Sequence, residues 1–598
     1  MRAFFYCRRF DERFDEVYNN TVKIRRRKLT KTLRYLKPYT GTVVLGLILK
    51  FIGSVAELFL PLLLKWVIDD VAANDALSGD EKLKWTLILG GLMLLCAVAA
   101  LLGNIFANRL TVKSSGNMTH DLRYDLFKKT CYLNSRQVDS VGVPSLISRL
   151  TSDTYYVNQM VARTLRLGVR APILILGGLI LAFTQDVILA CVLLACVPLV
   201  GITIFLITRK SVPLYFAVQR QQDDMVRRTQ ENVTGVRVIK ALSKSQYEVE
   251  KFKDVTKNLA ATEFKANRLM SLSNPLATLI LNLGLVVLIV VGASLHTSSG
   301  TVLEFLQFFV IILNAMIALT KIFVVISRGS ASASRIESVL DMDTEEQIGN
   351  YRGGDGNYKI EFKDVSFSYN GVENNLKNIN FAIRGGQTLG IIGATGSGKS
   401  TIVNLLMHFY DVGEGQIFVD GRDVRRYPLA ELRKKFGVAF QNDFLMAASV
   451  RENVDYGRNL ADEQINKAID CAQAREFFDG LDGGLNFDLA QKANNLSGGQ
   501  KQRLLVARAL AGNPEILILD DSSSALDYAT DAALRKALAR EYASSTKVIV
   551  AQRISSVKHA DLILVLDDGE VIGAGTHGQL LNTCEEYALI YSTQMGVE

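Results

Sequence analysis

Thr388-Leu-Gly-Ile-Ile392 runs straight into Gly393-Ala-Thr-Gly-Ser-Gly398-Lys399-Ser400-Thr401. The first five residues have the β-rich, apolar character of a buried strand. The next stretch reads G-x-x-x-x-G-K-S and opens a helix. Its glycines let successive backbone N–H groups turn inward as a nest for phosphate. The helix N-terminus adds a favourable field for negative charge. Lys399 is placed to reach β- and γ-phosphates, and Ser400 to ligate Mg²⁺. The expected ATP-binding set here is Gly393, Thr395, Gly396, Ser397, Gly398, Lys399, Ser400 and Thr401.

Two further stretches complete the chemistry. Ile516-Leu-Ile-Leu-Asp520-Asp521 is an apolar strand ending in an acid, as a Mg²⁺-side carboxylate requires. Leu496-Ser497-Gly498-Gly499-Gln500-Lys501-Gln502-Arg503 precedes an apparent helix and forms a second anion-ready N-terminus. One nucleotide needs only one such site within a domain. The second is therefore expected to face the γ-phosphate of a nucleotide held by another copy or partner. Around these motifs, β-rich runs alternate with helical ones: Lys359–Phe362, Gln416–Val419, Lys547–Ala551 and Leu562–Leu566. That is an α/β nucleotide-binding pattern. Gly353, Gly354 and Gly356 mark a linker before it.

Upstream, the texture is different. The chain has 598 residues, 49% of them hydrophobic and 21% charged. That is too apolar for an ordinary soluble enzyme and too charged to lie wholly in a membrane. Six stretches can cross about 30 Å of hydrocarbon as helices. They lie at 41–68, 85–108, 165–184, 187–208, 275–295 and 302–326. Gln185 and Asp186 form a tight hairpin between the third and fourth, and His296–Thr301 join the last two. The first 38 residues and the 109–163 and 209–270 connections are basic. The 69–83 loop instead holds Asp69, Asp70, Asp75, Asp80 and Glu81 against Lys82. The excess of Lys and Arg puts both termini and the long connections in the cytoplasm. Trp66 and Trp85, the only tryptophans, flank the acidic loop, as an aromatic belt would. The long connections read as helices extending into the cytoplasm.

Ionisable residues inside spans are costly and need a partner or a cavity. Glu57 reads as a cavity-lining contact to substrate or proton, or as half of an interhelical pair. Lys50 shares its span, and Lys65 and Lys321 are expected to snorkel. The net charge of +8 fits basic cytoplasmic loops, and nucleic acid is not an expected partner. Seven cysteines are far apart, without a CxxC pair, and read as free thiols. The first residues, with Arg25, Arg26, Arg27 and Lys28, lack the form of a cleavable signal.

These motifs in this order resemble the ATP-binding cassette (ABC) superfamily. With six preceding spans, the chain from about residue 30 resembles an ABC exporter half-transporter, of multidrug-exporter type. Gly142-Val-Pro-Ser-Leu-Ile-Ser-Arg-Leu-Thr-Ser-Asp153 and Glu231-Asn-Val-Thr-Gly-Val-Arg-Val-Ile-Lys240 are similar to that family's cytoplasmic loops. The expected architecture is multi-domain. A cytoplasmic segment covers 1–38, and an all-α six-helix transmembrane domain with long cytoplasmic extensions covers 39–330. A linker covers 331–357, and an α/β P-loop cassette covers 358–598. The resemblance implies a domain-interlaced dimer, ATP and Mg²⁺, and alternating-access export; for this multi-pass chain the lack of a targeting sequence favours a bacterial plasma membrane.

Family roles fall on matching positions. Tyr369 would stack on adenine. Gln441 matches the Q-loop, which senses Mg²⁺ and contacts the membrane domain; with Ser400 and Asp520 it forms the implied metal set. Asp520 matches the Walker B aspartate, and Ser497, Gly498, Gly499 and Gln500 the signature. Asp527, in Ser-Ala-Leu-Asp, matches the D-loop.

Two positions depart from the pattern. Asp521 stands where Glu usually positions the attacking water, which retracts the carboxylate by roughly 1.5 Å. Gln552 stands where a His usually touches the γ-phosphate, and an amide cannot carry charge there. Together they suggest a site that binds ATP and hydrolyses it poorly, beside an intact signature. The expectation is a degenerate-site subunit of a heterodimeric exporter, its partner a second half-transporter. A homodimer with two slow sites, or a regulatory subunit gating a channel, are the alternatives. The substrate class stays open among drug-like amphipath, lipid and peptide.

Overall fold

The computed structural model describes residues 31–344, 356–441, 443–522 and 524–595. Arg25–Lys28, Gly353 and Gly354 lie outside them, as does the side chain of Lys321. The chain divides into two compact units. One takes in the chain up to Cys131 and Gly142–Met342; the other joins Tyr132–Val141 to Asp343 and beyond.

Among the described residues of the first unit, six helices are long and apolar enough to cross a membrane. Helix α1 (Thr40–Trp66) carries the first span and α2 (Gly79–Cys131) the second. The chain then passes through α3 (Ser135–Val141, in the second unit), α4 (Val143–Ser148) and α5 (Thr154–Arg163) to α6 (Val169–Gln185). Helix α7 (Val187–Thr234) is continuous far beyond its apolar part. It leads to α8 (Val236–Ala241), α9 (Ser245–Ser271), α10 (Ser273–Ser294) and α11 (Ser299–Leu340). The long helices thus carry the polar connections, and short α3 and α8 interrupt them.

Local chemistry sets the hairpins. Asp186 is extended, and its Oδ1 accepts from the N–H groups of Ile188 and Leu189 at 2.8 and 2.9 Å. It therefore caps α7 directly after α6 ends. At the outer end of α11, Asp69 accepts from Ser298 Oγ at 2.5 Å and Gly300 N–H at 2.9 Å. A carboxylate from the first outer loop thus sits on a helix N-terminus, where the dipole favours it. Small residues close the α1–α2 crossing: a Cβ on Gly103 would lie 3.1 Å from Gly53 Cα.

The structure corrects two readings and decides a third between its alternatives. Residues 331–340, read as linker, are the last turns of α11. Ala333, Ile336 and Val339 are fully buried there at helical spacing, and α11 packs against α5. Lys65 does not snorkel. It donates to Gln185 Oε1 at 2.6 Å and lies 4.0 Å from Glu304, a fully buried carboxylate. Glu57 is half of an interhelical pair: Arg170 Nη2 donates to both its oxygens at 2.8 and 2.6 Å.

The second unit is α/β. Strands β1 (Ile360–Phe367), β2 (Leu376–Ile383), β4 (Glu414–Val419) and β5 (Arg422–Asp423) form an antiparallel sheet in the order β2-β1-β4-β5. The main sheet is ordered β10-β9-β3-β8-β7-β6. It contains β3 (Thr388–Gly393), β6 (Phe436–Ala439), β7 (Ile516–Asp520), β8 (Thr546–Val550), β9 (Leu562–Asp567) and β10 (Glu570–Gly575). All its pairings are parallel except β9–β10. Helix α12 (Lys399–Leu406) packs Ile402, Val403, Leu405 and Leu406 into one core with residues of both sheets. A second core joins β6 and β7 to α13 (Gly498–Ala511).

Candidate nucleotide site

Because β3, β6, β7 and β8 run parallel, the residues that follow them emerge at one edge of the sheet. That edge is where open α/β folds bind ligands. It brings together the loop after β3, Gln441 after β6, Asp520 and Asp521 at the end of β7, and Gln552 after β8.

The phosphate loop needs its glycines for space and for backbone freedom. A Cβ on Gly393 would sit 2.1 Å from the Leu566 carbonyl. Gly398 has φ +97°, and a Cβ there would lie 2.6 Å from Leu376 Cδ2 and 2.9 Å from the Asn375 carbonyl. The left-handed backbone alone costs an L-residue about 1–2 kcal/mol. Gly398→Ala is therefore expected to distort the N–H nest and to weaken ATP binding at least about tenfold. A nucleotide titration of the purified chain checks this.

Lys399 is almost wholly buried, and its ammonium donates to the Gly393 and Ala394 carbonyls at 2.9 and 2.6 Å. Burial lowers its pKa, against the pull of Asp520 and Asp521. Burial likewise raises the pKa of both aspartates. At Asp520 the neighbouring Ser400 hydroxyl opposes that rise. Asp520 Oδ1 and Ser397 Oγ are buried without a hydrogen-bond partner among the described residues. Buried polar atoms rarely stay unsatisfied. An orphan carboxylate oxygen next to a phosphate loop fits a magnesium nucleotide, held by the loop, Lys399, Ser400 and Asp520.

Asp521 has φ +49°, a left-handed conformation that Asp tolerates better than most residues. Its N–H donates to the Val550 carbonyl at 2.9 Å. Its Oδ2 accepts from Gln441 Nε2 at 3.2 Å and from Gln552 Nε2 at 3.0 Å. The two departures from the family pattern therefore touch each other. Gln594, in the C-terminal helix Glu585–Met595, donates to the Gln552 carbonyl at 2.8 Å and steadies that loop.

Tyr369 is partly exposed beside α12. Its hydroxyl lies 3.4 Å from Thr401 Oγ1 and accepts from Asn404 Nδ2 at 3.2 Å. Its ring stands edge-on to Tyr410 at 5.0 Å, and the Tyr410 hydroxyl donates to Asp139 of α3 at 2.5 Å. Nothing in the residue types announced that link, because its two ends are 271 positions apart.

The signature segment sits elsewhere. Ser497 and Gln500 cap α13 reciprocally: Gln500 N–H donates to Ser497 Oγ at 3.3 Å and Ser497 N–H to Gln500 Oε1 at 2.8 Å. Arg508 does not face that terminus; it pairs with Asp443 and donates to the Phe444 carbonyl. Asp527 caps the helix Tyr528–Glu541, accepting from Thr530 N–H at 2.8 Å. Gln502 joins the two segments, donating to Ser524 Oγ at 3.1 Å and accepting from Ala525 N–H at 2.9 Å.

Comparison with known proteins agrees with this layout. Residues 43–321 match the family described as ABC transporter transmembrane region, and residues 376–524 the family described as ABC transporter. An uncharacterized ABC transporter ATP-binding protein of Bacillus subtilis is 33% identical over 95% of this chain and 99% of its own length. An ATP-dependent lipid A-core flippase of Vibrio cholerae is 31% identical over 94% of this chain and 97% of its own. A solved bacterial Atm1-family ABC exporter with ATP bound superposes with a TM-score of 0.76 at 21% identity, covering 95% of this chain and 98% of that one.

Proposed function

This chain belongs to the ABC transporter family, as an exporter-type half-transporter whose ATPase drives transport, and from that premise we propose that it is the weakly hydrolysing half of a heterodimer. It is a multi-pass plasma-membrane protein with six spans and a cytoplasmic cassette that uses ATP and Mg²⁺.

One observation carries the proposal: Gln552 donates at 3.0 Å to the same Asp521 oxygen that Gln441 reaches. A general base must present a free acceptor to the proton it takes. Here the shortened carboxylate is also held back by two amides. In this reading Lys399, Ser400 and Asp520 hold magnesium ATP, Tyr369 stacks on its base, and the site acts as a clamp. Ser497–Gln500, with no such departure, close over the partner's nucleotide, where turnover occurs. The named flippase among the relatives supports an amphipathic cargo.

The proposal expects a second, different half-transporter to copurify with the chain from native membranes. Recovery of this chain alone, as a dimer, would count against it.

A further inference from the structure

Three of the spans converge on one charged cluster. Lys50 and Glu57 are seven residues apart on α1, so they share a face. Asn104 and Asn108 are four apart on α2. Arg166 and Arg170 are four apart around the start of α6. All six positions lie inside the stretches read as spans.

Their partners do not balance. Lys50 is buried, and among the described residues its ammonium donates to neutral oxygens only, Asn104 Oδ1 at 2.8 Å and Asn108 Oδ1 at 3.2 Å. The charged groups bearing on it are Arg170, Arg166 and Glu57. Glu57 is already the bidentate partner of Arg170. Arg166 is in no ion pair among the described residues; its Nε donates to the Ala162 carbonyl at 3.2 Å. Arg170 Nε is buried with no hydrogen-bond partner among the described residues. Among the described residues, three basic side chains thus face one carboxylate. An arginine cannot shed its proton to escape the imbalance. Excess positive charge at membrane depth is expensive, and such residues mark substrate paths.

We propose that Lys50, Arg166 and Arg170 form a binding site for an amphipath with an anionic headgroup, held at membrane depth between the first three spans. The guanidinium groups match planar or tetrahedral oxyanions, and the two asparagines fix Lys50 toward them. Depth in the membrane selects a ligand with an apolar tail over a free ion. Glu57 competes with the ligand for Arg170 and so sets the affinity. This deepens, and rests on, the reading of the chain as an exporter.

The test is isothermal titration of the full chain, in a neutral maltoside detergent and without nucleotide, with dodecyl phosphate. Saturable binding is expected, and neither dodecanol nor inorganic phosphate should displace it. Arg166→Gln should weaken it about tenfold, since one charge is lost at close range. Among the described residues Arg166 makes only one hydrogen bond, to the Ala162 carbonyl, so this variant should fold; an unchanged unfolding temperature checks that. Glu57→Gln should tighten binding, which a merely structural pair would not do. Displacement by inorganic phosphate, equal binding of dodecanol, or indifference to both substitutions would overturn the proposal. The titration involves no hydrolysis, so its failure leaves the heterodimer reading to its own test.

Discussion

Asp521→Glu combined with Gln552→His is expected to raise ATP turnover of the purified chain by about 100-fold. The estimate comes from geometry. The native carboxylate is one methylene short, and misplacing a reacting group by about 1 Å can cost a factor of that size. It corresponds to roughly 2.7 kcal/mol of barrier. Neither single change should suffice. Asp521→Glu alone leaves the Gln552 amide, now 3.0 Å from the Asp521 oxygen, beside the new carboxylate. Gln552→His alone leaves the base retracted. The gain should therefore exceed the product of the single effects, because the two side chains are in contact. Steady-state hydrolysis of the four proteins would show it. Turnover unchanged in the double variant would mean that these residues do not limit the site.

The second large effect should come from the other end of the cassette. Gly498→Asp in the assembled complex is expected to lower hydrolysis by at least about 100-fold, the scale seen when a donor aimed at developing charge is lost. The substitution also sets a carboxylate where a γ-phosphate is expected. It should not disturb the fold, since a Cβ on Gly498 meets only Ala525 Cβ, at 3.8 Å. Lys399→Ala in the same chain should reduce ATP binding at its own loop yet slow turnover of the complex less than tenfold, an estimate for loss of a clamp rather than of chemistry. Hydrolysis assays on the copurified complex separate the two. If Lys399→Ala were the more damaging change, turnover would reside in this chain's own site.

Much of this was legible in the sequence because the deciding patterns are local. The phosphate loop, the strand that ends in Asp520 and Asp521, and the six apolar runs each announce themselves within about twenty residues. Strands β2, β6, β10 and the two-residue β5 did not. Leu376–Ile383 interleaves Lys377, Asn378 and Asn380 with apolar residues, Phe436–Ala439 is four residues long, and Glu570–Gly575 holds two glycines. Arg170 and Glu304 were missed for another reason. Their meaning depends on partners more than 100 positions away, Glu57 for one and Lys65 for the other. Asp521 and Gln552 could be singled out from the motif, but their contact depends on β7 and β8 being neighbours in the sheet.

The most direct test of the proposed asymmetry is ATP hydrolysis by this chain alone in lipid, with nucleotide binding measured on the same sample. The account predicts tight binding with almost no turnover. Brisk turnover would contradict it, because Asp521 and Gln552 would then suffice for catalysis and no second kind of subunit would be needed.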